Sequence, residues 1–151
     1  MKVVVDTSVL IALSSVGKLD LLRKLFTLVL VPRAVAEEYG EPLPRWIRVL
    51  DVNNKQLVRA LLEYLHRGEA EAITLAIEVN ADIVILDDKK ARSIARRLDL
   101  KIIGTVGILI LAKKQKLIDD IETEINRLLQ TSFYLSQDVI TKVLETARKD
   151  C

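Results

Sequence analysis

The sequence predicts an α/β protein: a three-layer α/β/α sandwich around a central, mainly parallel sheet, with helices added at the carboxyl end. Three observations carry that prediction. Val3, Val4 and Val5 form a branched apolar run that meets Asp6, and Ile83, Val84, Ile85 and Leu86 form another that meets Asp87 and Asp88. Such runs read as strands covered on both faces, as parallel sheets require. Segments of helical periodicity alternate with strands up to Leu117, after which only helical patterning remains.

The 151 residues are read as one domain, residues 1–117, with a helical extension, residues 118–151, packed on it. Half of the residues are apolar, ample for a core. Apolar stretches fall short of the ~20 residues that span a bilayer. The amino terminus also lacks a basic-then-apolar signal, so a soluble, cytoplasmic protein with no membrane association is expected. The one cysteine, Cys151, allows no internal disulfide or thiolate zinc site, and the one histidine, His66, leaves little room for histidine-based chemistry. If the chain is an enzyme, its working groups are carboxylates.

The first strand, about residues 2–5, leads into a helix whose start is offered capping groups by Thr7 and Ser8. Gly17 interrupts the pattern, and Leu19, Leu21, Leu22 and Leu25 resume an apolar helical face. A second strand, about residues 27–31, stops at Pro32; Pro32 and Gly40 bracket a short helix, Arg33 to Tyr39, bearing Glu37 and Glu38. Pro42 and Pro44 mark a loop under which Trp46 packs, followed by a short strand over residues 46–52. A helix over residues 55–65 ends near Gly68, with His66 as a helix-end residue. Ala72, Ile73, Ala76 and Val79 share one face of a helix over residues 69–79. The buried strand at residues 83–86 precedes a helix over residues 90–98, with Ala91, Ile94, Ala95 and Leu98 inward and its cations outward. A strand at residues 101–103 and a helix opened by Gly104 and Thr105 complete the alternation. Two further helices are expected over residues 118–130 and 136–148.

In open parallel sheets the ligand crevice lies beyond the carboxyl ends of the strands. Acids occupy four places suited to it: Asp6; Glu37 and Glu38; Glu69 and Glu71; and Asp87 with Asp88. Right-handed crossovers bring several of these to one edge. Gathered carboxylates repel one another and lose hydration, and a hard divalent cation held by oxygens relieves both. A net charge of +2 is too small to identify a nucleic-acid partner, but Lys89, Lys90, Arg92, Arg96, Arg97 and Lys101 follow the aspartate pair. A basic field beside an acidic pocket suits a polyanion. Each feature also has an ordinary reading: Asp6 and Ser8 as helix caps, Glu69 and Glu71 as acids favoured by a helix dipole, the cations as a solvated face. With six aromatics the chain shows no base-stacking platform.

Four motifs in order, VVVDTSVLIAL at residues 3–13, VPRAVAEEYG at 31–40, GEAEAITLA at 68–76 and ILDDKKARSIARRLDLKIIGTVGIL at 85–109, resemble the PIN domain, a metal-dependent nuclease fold that includes the VapC toxins. The resemblance spans about residues 1–117, and the GEAEA, DDKKAR and GTVG wording is closer to a branch of short PIN proteins than to the best-known toxins. It implies that the family's four acids fall on Asp6, Glu38, Glu71 and Asp88, with Asp87 the rival for the last. It also implies Mg²⁺ or Mn²⁺, held principally by Asp6 and Asp88 with Glu38 and Glu71 completing the shell. Thr7 and Ser8 resemble the small hydroxyl residues that follow the family's first acid, and Lys89, Arg92 and Arg96 are placed to meet phosphates.

The activity implied is endonucleolytic hydrolysis of single-stranded RNA, in the setting of a toxin with a small antitoxin partner and a homodimeric assembly. The rival is a catalytically silent PIN-fold module that binds RNA or protein. A haloacid-dehalogenase-like phosphatase needs a second aspartate where Ser8 stands, and a receiver domain places its paired acids after the first strand instead of late. No Walker-type glycine loop is present.

Overall fold

The valine run at the amino terminus becomes the middle of the sheet. The computed structural model describes residues 1–131 together with Thr141 and Glu145. Its elements are β1 (Lys2–Val5), α1 (Thr7–Ser15), α2 (Leu21–Leu25), β2 (Leu28–Pro32), α3 (Arg33–Tyr39), β3 (Ile47–Leu50), α4 (Lys55–Leu61), α5 (Arg67–Glu78), β4 (Ile83–Ile85), α6 (Lys89–Arg97), β5 (Ile102–Ile103), α7 (Thr105–Lys114) and α8 (Ile121–Leu129). The helix expected over residues 136–148 lies outside the described residues.

All five strands run parallel in the order β3-β2-β1-β4-β5. Val4 stands opposite Leu30 on one side and Val84 on the other. Because successive side chains of a strand point to opposite faces, Val3 and Val5 join one core and Val4 the other. The first core takes Leu10 and Leu13 of α1, Leu22 of α2, Ile108 and Leu109 of α7, and Ile121, Ile125 and Leu128 of α8. The second takes Val58 and Leu61 of α4, Ile73 and Leu75 of α5, and Ala91 and Ala95 of α6. The fold is therefore the expected three-layer α/β sandwich with a parallel sheet. The apolar stripe of α8 lies in the same core as α1 and α7, and its buried Glu124 pairs with Lys18 at 3.7 Å and Arg127 at 3.4 Å.

The chain builds β2 and β3 to one side of β1, then returns to build β4 and β5 on the other. The strand order thus reverses between β1 and β4, where an open parallel sheet forms its crevice. Asp6 Cα follows β1 there, and its N–H donates to Ile85 O at 3.1 Å, tying the two strand ends together. Gly40 ends α3 in the left-handed region at φ 72°, the role read for it beside Pro32.

Local readings change at three places. Leu98, expected to face inward, is exposed at the end of α6. Thr7 and Ser8 do not cap α1: Asp6 occupies the N-cap position without a side-chain cap bond, and the Thr7 hydroxyl donates to Glu38 instead. His66 begins a helix where the sequence suggested an end. The segment after α4 turns at residues 62–64, and α5 starts at Arg67 with Gly68 inside its first turn. Helix α5 packs across β1, β2 and β4, and its Ile73 is fully buried. Ile73→Ala is expected to cost roughly 2–5 kcal/mol, measured as a lower urea midpoint with an unchanged slope.

Candidate functional site

Asp6 is the centre of the acidic edge. It is 3% exposed, and its Oδ1 has no hydrogen-bond partner. Burial pushes its pKa from the ordinary 3.8 up to about 7; the Thr7 N–H opposes this, while the charges of Glu69, Glu38 and Asp87 add to it. Acids from three other segments therefore act on one carboxylate at the end of the central strand.

The surrounding acids are held by donors aimed at them. Glu38, near the end of α3, accepts the Thr7 hydroxyl at 2.7 Å and the Gly68 N–H at 2.9 Å. Glu69, in the first turn of α5, accepts the His66 N–H at 3.1 Å. Burial raises its pKa; the His66 N–H lowers it and the charge of Asp88 raises it further. Asp88 caps α6, its Oδ2 accepting the Ala91 N–H at 2.9 Å. A Cβ at Gly68 would run into the Glu38 carboxylate and displace it from the Gly68 N–H.

Two acids of the sequence reading spend their oxygens on the fold. Glu71 Oε1 accepts the Ala34 N–H at 3.1 Å, one of the unpaired donors in the first turn of α3, and Oε2 accepts from Arg67 Nε at 3.2 Å. Arg67 also reaches Glu37 at 3.2 Å, so one guanidinium clips α3 to α5, and these carboxylates raise its pKa. Asp87 Oδ1 accepts the Thr105 N–H at 2.7 Å and Oδ2 accepts the Thr105 hydroxyl at 2.6 Å, holding the start of α7. Its charge still reaches Asp6. The structure thus gathers Asp6, Glu38, Glu69 and Asp87 in one electrostatic neighbourhood, links Asp88 to it through Glu69, and turns Glu71 toward α3. Glu69 is the acid that the motif reading passed over. The signal was its spacing from His66, since an acid three residues after a cap reaches back to the cap N–H.

Among the substrate-contact candidates, Thr7 is engaged with Glu38, Ser8 is exposed, and Lys89 is exposed at the start of α6. Arg92 and Asp87 flank Gly104. Arg96 lies two turns along α6, roughly 10 Å from Lys89 at 1.5 Å per residue. It lines an open hollow of about 450 Å³ with Ile83, Leu100, Lys101, Ile102 and Ile103.

Among the described residues, no three His, Cys, Asp or Glu side chains form a ready-made metal site. The donor chemistry fits a hard divalent cation: the acids supply only oxygens, and one of these, Asp6 Oδ1, is buried without a partner.

A raised acid pKa means that the folded state holds a proton the unfolded chain has lost. Asp6 therefore leaves stability intact below pH 4 and costs progressively more as pH rises toward 7, by about 4 kcal/mol in all. Without metal, the native chain is expected to melt lower at pH 8 than at pH 5.5. Asp6→Asn should flatten that dependence and raise Tm at pH 8 by roughly 10 °C, read by circular dichroism. Glu71→Ala, which strands the Ala34 N–H and frees Arg67, should lower stability by about 1–3 kcal/mol. Glu69→Gln should leave urea stability unchanged or slightly higher.

Comparison with protein-family models matches residues 2–149 to DUF3368, described as a PIN domain. No significant match was found among curated proteins or among solved structures. PIN domains generally have nuclease activity and generally use divalent metals. A family match over nearly the whole length, together with the parallel sheet and the acids at its switch point, establishes that the chain belongs to the PIN domain family.

Proposed function

We propose that the chain is a Mg²⁺- or Mn²⁺-dependent endoribonuclease that hydrolyses phosphodiester bonds of single-stranded RNA. The observation that carries this reading is Asp6, a buried carboxylate at the sheet's switch point with an unpartnered oxygen and repulsion from three other acids. A fold gains nothing in stability from that arrangement, whereas a bound cation would be attracted by it. Asp6, Glu38, Glu69 and Asp88 are the residues that would hold the ion. When bound, such an ion activates water and offsets charge on phosphate oxygens.

The chain's own residues do the rest. The Thr7 hydroxyl and Gly68 N–H fix the Glu38 carboxylate, and the His66 N–H fixes Glu69. Glu69, partly withdrawn from water with its pKa raised, is suited to take a proton from attacking water. Lys89 and Arg92 at the start of α6 meet the phosphate backbone without reading bases. No helix among the described residues is long and apolar enough to cross a membrane. The toxin role, a small antitoxin partner and a homodimer are supported by resemblance alone; a neighbouring gene for a small protein would strengthen the first two.

The second reading, a silent PIN-fold module that binds RNA or protein, is favoured by the commitment of Asp87 to Thr105 and of Glu71 to Ala34 and Arg67. Cleavage separates the two. With Mn²⁺ or Mg²⁺ the native chain should cut single-stranded RNA, and Asp6→Asn and Asp88→Asn should each lose roughly two orders of magnitude in rate or more. Equal cleavage by all three would overturn the catalytic assignment, and RNA binding without cleavage would favour the module.

A further inference from the structure

One aromatic ring stands in the open beside the acids. Tyr64, in the turn between α4 and α5, is 62% exposed, and Lys90 Nζ lies 6.0 Å from its ring centroid. Both residues are near neighbours in the chain of residues at the acidic edge. Tyr64 is two residues before His66, whose N–H is held by Glu69, and Lys90 is two residues after Asp88, the cap of α6. Asp88 and Glu69 sense each other's charge, so the two segments converge.

A tyrosine used for packing buries its ring and finds a partner for its hydroxyl. Tyr64 does neither among the described residues, and no acid among them pairs with Lys90. An exposed ring with an unneutralised cation over it is the equipment for holding one nucleotide.

We propose that Tyr64 and Lys90 form a nucleotide subsite, in which the ring stacks on an unpaired base and the ammonium meets an adjacent phosphate. The subsite rests on the nuclease reading above and gives it a preference for single strands. Every base has a π-face, so stacking tolerates any sequence. In a duplex those faces are covered by neighbouring pairs, and the ring has nothing to stack on. The cation beside the ring strengthens the contact and adds salt dependence.

The test is fluorescence anisotropy of the full chain with three labelled probes: a short oligouridylate, the same backbone with abasic sites, and a blunt RNA duplex. It is run in EDTA and again with calcium. Tyr64→Ala is expected to weaken oligouridylate binding roughly tenfold and to leave the abasic and duplex probes unchanged. Tyr64→Phe should bind as the native chain does. Lys90→Ala should weaken the oligouridylate and abasic probes by about the same factor, with a shallower salt dependence. If the native chain binds and cleaves single-stranded RNA while Tyr64→Ala matches it, the subsite is overturned and the nuclease reading stands. Loss of abasic binding in Tyr64→Ala equal to its loss of oligouridylate, or a Tyr64→Phe as weak as Tyr64→Ala, also overturns stacking. A native chain that neither binds nor cleaves the oligouridylate overturns both.

Discussion

Like charge crowded at the ends of two adjacent buried strands is the constraint around which the rest of the structure is arranged. Asp6 is drawn into low hydration because it follows the most central strand, and its N–H is already committed to Ile85 O. Charge there is costly, and the neighbouring acids make it costlier. The fold answers by giving each surrounding acid a donor: Thr7 and Gly68 for Glu38, His66 for Glu69, Ala91 for Asp88 and Thr105 for Asp87. At this edge the unmet demand is left on Asp6 Oδ1.

Holding the acids close depends on α3 and α5. Arg67 bridges Glu37 and Glu71, and Glu71 reaches across to the first turn of α3. This clip draws the two helices together. Gly68 then allows the Glu38 carboxylate to settle on the backbone of α5, where any side chain would stand in its way. Packing and electrostatics are thus divided between acids only two residues apart.

Helix α6 adds a field of the opposite sign. Its cap, Asp88, belongs to the acidic edge, while Lys89, Lys90 and Arg92 follow within one turn. On the nuclease reading proposed above, these cations would steer a polyanion toward the edge. Arg96 and Lys101, further along, face the hollow at the β5 edge and belong to a different part of the surface.

The sequence alone determined the layer architecture, because unbroken branched apolar runs such as Val3 to Val5 and Ile83 to Leu86 are stable only with helices on both faces. It also determined α3 to the residue, since proline and glycine bracket it, and it placed acids at the ends of β1 and β4. It did not decide which acid of the GEAEAI motif joins Asp6. Residues two apart on a helix lie about 200° apart, so Glu69 and Glu71 look in different directions, and only the placement of α5 against α3 tells which one faces the strand ends. The same holds for Thr7, whose hydroxyl had its own helix available as a partner until α3 brought Glu38 within 2.7 Å. Tyr64 and Lys90 are 26 residues apart in the chain, and no local pattern announces their meeting. Strand runs and helix brackets are local physics and can be read along the chain; partners chosen across a sheet edge exist only once the crossovers have closed.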